Sequence, residues 1–121
     1  MKRYTALRIL SSCLEDNDVA FFSGTGVCEE AFKYHRPGNF YLNEASSPAA
    51  VATGAANGTN KRVFVFCEDY KFLEDLSTAG QMAVSKCKNI FYVILVSGQH
   101  IPNMPTIFDS LIAPKGMLFN M

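Results

Sequence analysis

The chain has 121 residues, which is enough for one domain with its own apolar core. Its 11 basic and 11 acidic side chains give a formal net charge of zero, which excludes the basic surfaces that bind nucleic acid or anionic membranes. No apolar run approaches the roughly 20 residues that a membrane helix needs, and the N-terminus does not resemble a signal peptide. We therefore expect a cytoplasmic or otherwise intracellular globular protein, with no nucleic-acid or membrane partner and little charge repulsion between copies.

The first part of the chain predicts a helix, a strand and a second helix. Apolar residues recur at helical spacing over residues 4–14, and residues 19–22 are a short apolar run typical of a buried strand. The motif Gly24-Thr25-Gly26 leads into a helix over about residues 27–34. This motif is either a tight turn or a small anion site on free backbone N–H groups. It matches neither the dinucleotide pattern nor the phosphate loop, which favours the tight turn.

The next pattern is a short strand over residues 40–42 followed by a polar turn and a helix rich in small residues. Pro48 suits the first turn of this helix, with Ser46 or Ser47 as its N-cap. The many alanines of residues 49–56 allow the helix to lie close to a sheet or to another helix.

Residues 62–99 are the most informative stretch because they predict a strand, an acidic turn, an amphipathic helix and a second strand. Residues 63–66 and 90–96 are continuous apolar runs of the kind buried on both faces of a parallel sheet. The predicted turn, Cys67-Glu68-Asp69-Tyr70, falls at the carboxyl end of a strand, where open parallel sheets place their ligand sites. The apolar positions of the predicted single helix are Phe72, Leu76, Ala79, Met82 and Ala83.

The order of these elements indicates an α/β fold with a doubly wound, mostly parallel sheet and helices on both faces. We assign residues 1–99 to this domain and residues 100–121 to an apolar C-terminal tail that Pro102 and Pro105 interrupt. So apolar a tail needs a surface to cover, either its own sheet or a neighbouring subunit.

The four cysteines lie far apart and form no Cys-x-x-Cys pair. Three of them fall inside apolar patterns, so we interpret them as buried, reduced thiols rather than as metal ligands or disulfides. They are Cys13, Cys28, Cys67 and Cys87.

Several motifs resemble the diphosphate-binding domain of thiamine-diphosphate enzymes, in particular the beta chain of sulfopyruvate decarboxylase and the matching domain of phosphonopyruvate decarboxylase. The resemblance covers residues 1–99 and implies a thiamine-diphosphate-binding fold, shorter than the family's at its C-terminal end. The stretches that carry it are Gly26-Val27-Cys28-Glu29-Glu30-Ala31-Phe32, Arg36-Pro37-Gly38-Asn39-Phe40-Tyr41, Asn43-Glu44-Ala45-Ser46, Cys67-Glu68-Asp69-Tyr70 and Val96-Ser97-Gly98.

The family holds a magnesium ion through the aspartate of a Gly-Asp-Gly motif, an asparagine and a backbone carbonyl. The resemblance places these three ligands at Asp69, Ser97 and Gln99. A carboxylate suits magnesium, whereas a serine hydroxyl is a poor substitute for an amide oxygen. The cofactor-binding positions that the resemblance implies are Glu68, Asp69, Tyr70, Asn43, Glu44 and Ser46.

The residues beside Asp69 argue against cofactor binding, because Glu68 and Tyr70 replace the two family glycines. A tyrosine at positive φ costs about 1–3 kcal/mol of strain. A carboxylate about 5 Å from a phosphate repels it by roughly 3 kcal/mol per unit charge at an effective dielectric near 20. Glu44 adds a second carboxylate to the same rim. We interpret the cofactor site as degenerate, and we expect no bound thiamine diphosphate or magnesium.

Two functions remain open from the sequence. The first is a non-catalytic, self-associating structural protein that forms homo-oligomers. The second is the small subunit of a thiamine-diphosphate- and magnesium-dependent 2-oxo acid decarboxylase for a substrate such as sulfopyruvate or phosphonopyruvate. That enzyme would need a separate pyrimidine-domain chain to supply its catalytic glutamate. Glu44 superficially matches that glutamate, but its spacing favours a solvated carboxylate at a helix entrance.

Overall fold

The computed structural model describes residues 2–84, 87–96 and 116–120, and the structural statements below concern these residues. The helices are α1 (Arg3–Ser12), α2 (Thr25–Phe32), α3 (Pro48–Asn57), α4 (Asp69–Glu74) and α5 (Leu76–Val84). The strands are β1 (Val19–Ser23), β2 (Asn39–Leu42), β3 (Val63–Glu68), β4 (Ile90–Val96) and β5 (Gly116–Asn120). The five strands form one parallel sheet in the order β2-β1-β3-β4-β5.

Side chains of the central strands alternate between two apolar clusters, one on each face of the sheet. On β3, Val65 and Cys67 belong to the cluster that contains α3 and α4 residues, whereas Phe66 belongs to the cluster that contains α1 and α2 residues. This alternation follows from the two-residue period of a strand. Helices therefore cover both faces, which confirms the predicted doubly wound α/β fold.

The start of α3 agrees with the sequence. Ser47 is the N-cap, and its hydroxyl accepts a hydrogen bond from Ala50 N at 3.2 Å, while Pro48 occupies the first helical turn. Asp75 adds a second cap from a distant part of the chain, since its carboxylate accepts from Ser47 Oγ at 2.6 Å and from Ala49 N at 3.0 Å.

Two predicted features of residues 67–84 are wrong. The acidic turn is absent, because β3 continues to Glu68 and α4 begins at Asp69. The predicted single helix is two helices that meet at Asp75, whose φ of −101° and ψ of 15° depart from helical values. The Asp75 carboxylate is committed to the start of α3, which fixes the position of this break.

The cysteines are less buried than predicted. Only Cys67 is buried among the four, whereas Cys28 and Cys87 are half-buried and Cys13 is exposed just after the end of α1. Burial raises the pKa of the Cys67 thiol to about 12, so this thiol stays protonated at neutral pH.

Part of the predicted C-terminal tail belongs to the sheet of its own chain. Gly116–Asn120 forms β5, which pairs with β4 in the register Tyr92 to Gly116. The boundary predicted at residue 99 lies outside the described residues, as do Pro102, Pro105, Ser97 and Gln99. In the described part of the chain, no helix is long and apolar enough to cross a membrane.

The amino ends of the strands are joined by a network of two arginines and one aspartate. Asp18 is only 3% exposed, and its carboxylate accepts from Arg62 Nε at 2.8 Å and from Arg62 Nη2 at 2.6 Å. The same carboxylate accepts from Glu15 N at 2.7 Å. The Arg36 guanidinium donates to the carbonyl oxygens of Glu15, Asp16 and Asp18. The network ties the segment before β1 to the beginnings of β2 and β3.

Candidate functional site at the carboxyl end of the sheet

The strand order creates a crevice between the carboxyl ends of β1 and β3. From β1 the chain passes outward to β2, and it then returns to place β3 on the other side of β1. Doubly wound sheets bind their ligands where the strand order reverses in this way. Ser23-Gly24 and Glu68-Asp69 lie at this point, so a ligand site is expected between them.

An ion pair between Arg3 and Glu68 spans the crevice. Arg3 Nη1 lies 2.7 Å from Glu68 Oε1, and the Glu68 side chain is only 14% exposed. The Arg3 guanidinium rests on the first turn of α2, where a Cβ added to Gly26 would lie 2.5–2.6 Å from three of its atoms. Gly26 therefore provides the space that lets the N-terminal helix reach Glu68.

Tyr70 lies over the glycine that starts α2. Gly24 has a φ of 102°, a conformation that favours glycine. A Cβ at Gly24 would lie 3.3 Å from Tyr70 Oη and 3.7 Å from side-chain atoms of Glu68. The space next to this glycine is thus filled by Glu68 and Tyr70, the residues that the resemblance aligned with two glycines.

The strain that we predicted for Tyr70 is absent. Glu68 is extended with a φ of −77°, and Asp69 and Tyr70 are the first two residues of α4. The backbone therefore avoids positive φ by entering a helix directly, where the predicted turn would have needed a glycine.

Carboxylates dominate the electrostatics of this region. Burial raises the pKa of Glu68; Arg3 opposes this shift, while Asp69 and Glu44 reinforce it. Burial also raises the pKa of Tyr70, and the charges of Glu68, Glu44 and Glu74 raise it further. In both cases burial is the largest cause of the raised pKa and the neighbouring carboxylates act in the same direction, so a further anion would meet like charges here.

Asp69 is the predicted metal ligand that the structure describes. It is 2% exposed, and its Oδ1 accepts a hydrogen bond from Tyr70 N at 2.8 Å. The other two predicted ligands, Ser97 and Gln99, lie outside the described residues. Within the described ranges, no group of three or more His, Cys, Asp and Glu side chains could hold a metal ion.

The loop after β2 holds the remaining predicted cofactor positions. Asn43 Oδ1 accepts from Ala45 N at 2.9 Å and from Ser46 Oγ at 3.1 Å, so this side chain stabilises its own loop. Glu44 is exposed and accepts from Thr25 Oγ1 at 2.9 Å. These contacts agree with the interpretation of Glu44 as a solvated carboxylate near a helix start.

A buried lysine secures this loop from α4. The Lys71 ammonium donates to the carbonyl oxygen of Glu44 and lies 3.5 Å from the Glu74 carboxylate. A cavity of about 220 Å³ is lined by this loop together with Lys71, Glu74 and Asp75. Its charged lining is acidic apart from Lys71.

The sequence correctly predicted that Glu68, Asp69 and Tyr70 lie at the carboxyl end of β3, but it did not predict the contacts of Arg3 or Lys71. Arg3 pairs with a residue 65 positions away, and Lys71 bonds to one 27 positions away. No local periodicity signals such contacts. The only available signal was the basic residue at the start of the first helix.

Comparisons with known proteins provide a fold relationship. No family model matches the chain, and no curated protein matches it. The structure is similar to an X-ray structure of a candidate thiamin diphosphate-dependent enzyme isolated from Mycobacterium smegmatis, with a TM-score of 0.59 and 17% sequence identity. The match covers 100% of this chain but 31% of that one. It shows a shared α/β fold, and the chain spans about a third of the length of that protein.

Proposed function

We propose that this protein is a non-catalytic, self-associating structural protein built on the fold of a thiamine-diphosphate-binding domain. The observation that carries the proposal is the Arg3–Glu68 ion pair at the point where the strand order reverses. Together with Tyr70 above Gly24, this pair fills the space between the carboxyl ends of β1 and β3 in which a ligand would bind.

The residues of the crevice do not fit a diphosphate. A diphosphate at Gly24 would have to displace the Tyr70 hydroxyl and compete with Glu68 for the Arg3 guanidinium. The charges around it are unfavourable too, since more carboxylates than cations surround the entrance among the described residues. These carboxylates belong to Glu44, Glu68, Asp69, Glu74 and Asp75, and the cations to Arg3 and Lys71.

The ion pair with Arg3 makes the repulsion between Glu68 and an anion weaker than the sequence predicted. Because the Glu68 carboxylate is paired, its charge repels an anion less than the roughly 3 kcal/mol per unit charge of an unpaired group. The obstacle is instead the space that Arg3, Glu68 and Tyr70 occupy, because a ligand can enter only if these side chains move. Both effects weaken binding of a polyanion.

Self-association is supported by the surface. The formal net charge is zero, so copies repel each other little. Among the described residues, large apolar side chains are exposed on several elements, including Phe32 at 63%, Tyr4 at 50% and Phe40 at 49%. Exposed apolar surface of this kind is typical of protein interaction sites.

Calorimetric titration with thiamine diphosphate and magnesium, combined with sedimentation of the same sample, tests the proposal. We expect no binding heat up to millimolar cofactor and a sedimentation coefficient above that of a 13.4 kDa monomer. Binding at micromolar concentration would overturn the non-catalytic proposal, and a monomer at all concentrations would overturn self-association.

A double variant tests whether two side chains alone prevent the crevice from binding the cofactor. Replacing Glu68→Gly and Tyr70→Gly together removes the two side chains that fill the space beside Gly24. If these side chains alone prevent binding, the double variant gains measurable heat, which Asp69→Asn in the same background then reduces. Circular dichroism checks that the variants remain folded.

The second candidate is the small subunit of a thiamine-diphosphate-dependent 2-oxo acid decarboxylase. The observation in its favour is the buried Asp69 carboxylate at the carboxyl end of β3, the position that the resemblance assigns to the family's magnesium ligand. This candidate requires a pyrimidine-domain partner chain with its own catalytic glutamate. Decarboxylation of sulfopyruvate or phosphonopyruvate after mixing the two chains, lost in Asp69→Asn, would favour it.

A further inference from the structure

We infer that a second copy of this chain docks, about a two-fold axis, on the surface formed by α2 and the edge strand β2. This inference rests on the proposed self-association and names the surface responsible for it. The α2–β2 surface is defined by Cys28, Glu29, Phe32, Lys33, Phe40 and Tyr41.

The outer edge of β2 presents backbone groups that a copy of itself can pair with. In the described part of the chain, β2 has a strand neighbour on one side only, namely β1. Ala20 N donates to Gly38 O at 2.9 Å, so by alternation the N–H and C=O of Tyr41 point away from β1. Two antiparallel copies of β2 can exchange these groups at Tyr41, since each offers one donor and one acceptor.

Apolar rings flank this edge on both faces of the sheet. Phe40 is 49% exposed and contacts Phe21 of the cluster under α3, with ring centroids 5.5 Å apart. On the other face, Phe32 is 63% exposed and packs edge-on against Tyr41 at 5.5 Å. A shallow groove beside Phe32 is lined by Cys28, Glu29 and Tyr41 and is almost entirely apolar. Burial of these rings would supply the apolar core that an interface requires.

The charges on α2 favour a second copy over a charged partner of another kind. Glu29 on α2 and Lys33, the C-cap residue of α2, are exposed and one helical turn apart on the side that carries Phe32. A two-fold axis beside Phe32 brings α2 against its copy in antiparallel orientation. Glu29 of each copy then meets Lys33 of the other, as the reciprocity of a two-fold interface requires. Lys33 currently pairs with Glu30 of its own helix at 3.2 Å, an exposed contact that it can exchange or share.

A charge-swap experiment tests the reciprocity directly. Glu29→Lys alone places two lysines opposite each other, and Lys33→Glu alone places two glutamates opposite each other. We expect each single variant to weaken dimer formation, measured by sedimentation equilibrium, by about three- to tenfold. The double variant Glu29→Lys with Lys33→Glu restores the opposite charges, so its dimer constant should return to within about threefold of the wild type.

A truncation of the central ring gives a larger effect. Phe32→Ser should weaken the dimer by at least about tenfold, because aromatic side chains at the centre of an interface contribute most of its affinity. Val51→Ser is the matched control, since Val51 is an exposed apolar residue on α3, away from this surface. Circular dichroism and thermal unfolding verify that both variants are folded.

The outcomes distinguish this inference from the proposed function. A wild-type chain that remains monomeric overturns both. A wild-type oligomer whose mass is unchanged by Phe32→Ser and by both single charge variants overturns only the α2–β2 surface. Weakening by the single charge variants with no recovery in the double variant would overturn the two-fold arrangement.

Discussion

Each end of the parallel sheet carries a carboxylate paired with an arginine, but the pKa of the carboxylate is lowered at one end and raised at the other. At the amino end, Asp18 is buried with three donors, and its hydrogen bond to Arg62 is the main cause of its lowered pKa. At the carboxyl end, Glu68 has the Arg3 pair, but burial and neighbouring carboxylates raise its pKa. The groups around Asp18 therefore stabilise its charge, whereas Glu68 contributes little to the stability of the fold and closes a crevice.

The largest effect should come from removing the amino-end carboxylate. Asp18→Ala leaves Glu15 N without its side-chain acceptor and breaks a two-point contact with Arg62. We expect a loss of about 2–3 kcal/mol in the free energy of unfolding by urea, below the full cost of a deeply buried pair because Arg62 regains water.

The matched controls for this variant lie at both ends of the sheet. Asp16→Ala changes an exposed neighbour and should cost less than about 0.5 kcal/mol. Glu68→Ala should cost less than about 1 kcal/mol, because the raised pKa of Glu68 shows that its ionised form is poorly stabilised. A larger loss for Glu68→Ala than for Asp18→Ala would reverse the comparison.

The same substitution, glycine to alanine, should have unequal effects at the two ends. A Cβ at Gly38 would lie 2.4 Å from the backbone carbonyl oxygen of Asp18, which cannot move alone. Gly38→Ala should therefore cost about 1–3 kcal/mol of unfolding free energy. The three atoms nearest to a Cβ at Gly26 all belong to the flexible end of Arg3, so Gly26→Ala should change stability by less than about 1 kcal/mol.

Chemical denaturation of the two alanine variants measures this contrast. Gly26→Ala should also separate Arg3 from Glu68, which a crystal structure of the variant would reveal. Equal losses at both positions would mean that the carboxyl end is packed as rigidly as the amino end.

The pH dependence of stability should have opposite signs at the two carboxylates. The pKa of Asp18 lies below its ordinary 3.8, so Asp18 stabilises the fold above pH 3.8, and this contribution is lost as the pH falls through the lowered pKa. The pKa of Glu68 lies above its ordinary 4.5, so ionised Glu68 weakens the fold, and this penalty disappears as the pH falls through the raised pKa.

Urea unfolding across this pH range, with Asp18→Asn and Glu68→Gln, isolates the two contributions. The deficit of Asp18→Asn relative to the wild type should shrink below pH 3.8. The advantage of Glu68→Gln over the wild type should be largest at neutral pH and shrink towards pH 4.5. Curves of the same sign for both variants would contradict the assigned environments.

The sequence predicted the features that local patterns encode. Residues 90–96 coincide with β4, because a strand buried on both faces is an unbroken apolar run. Ser47 and Pro48 marked the start of α3, because capping depends on adjacent residues. Glu68 and Asp69 could be placed at the end of β3, where ligand sites lie, because the apolar run of residues 63–66 stops just before them.

The features that the sequence did not predict depend on contacts between distant residues. The helix break at Asp75 arises from bonds to Ser47 and Ala49, and the closed crevice arises from Arg3 reaching Glu68. The pairing of Gly116–Asn120 with β4 likewise joins segments separated by many residues. Neither a two-residue nor a 3.6-residue period carries this information.

The most direct test of the closed crevice is a titration of the 15N-labelled protein with thiamine diphosphate and magnesium, followed by amide NMR. The amide signals of Gly24, Gly26 and Tyr70 report on the crevice, because these residues surround the Arg3–Glu68 pair. We predict that these signals do not shift up to millimolar cofactor. Saturating shifts of all three at micromolar cofactor would contradict the account and show that the crevice opens to a diphosphate.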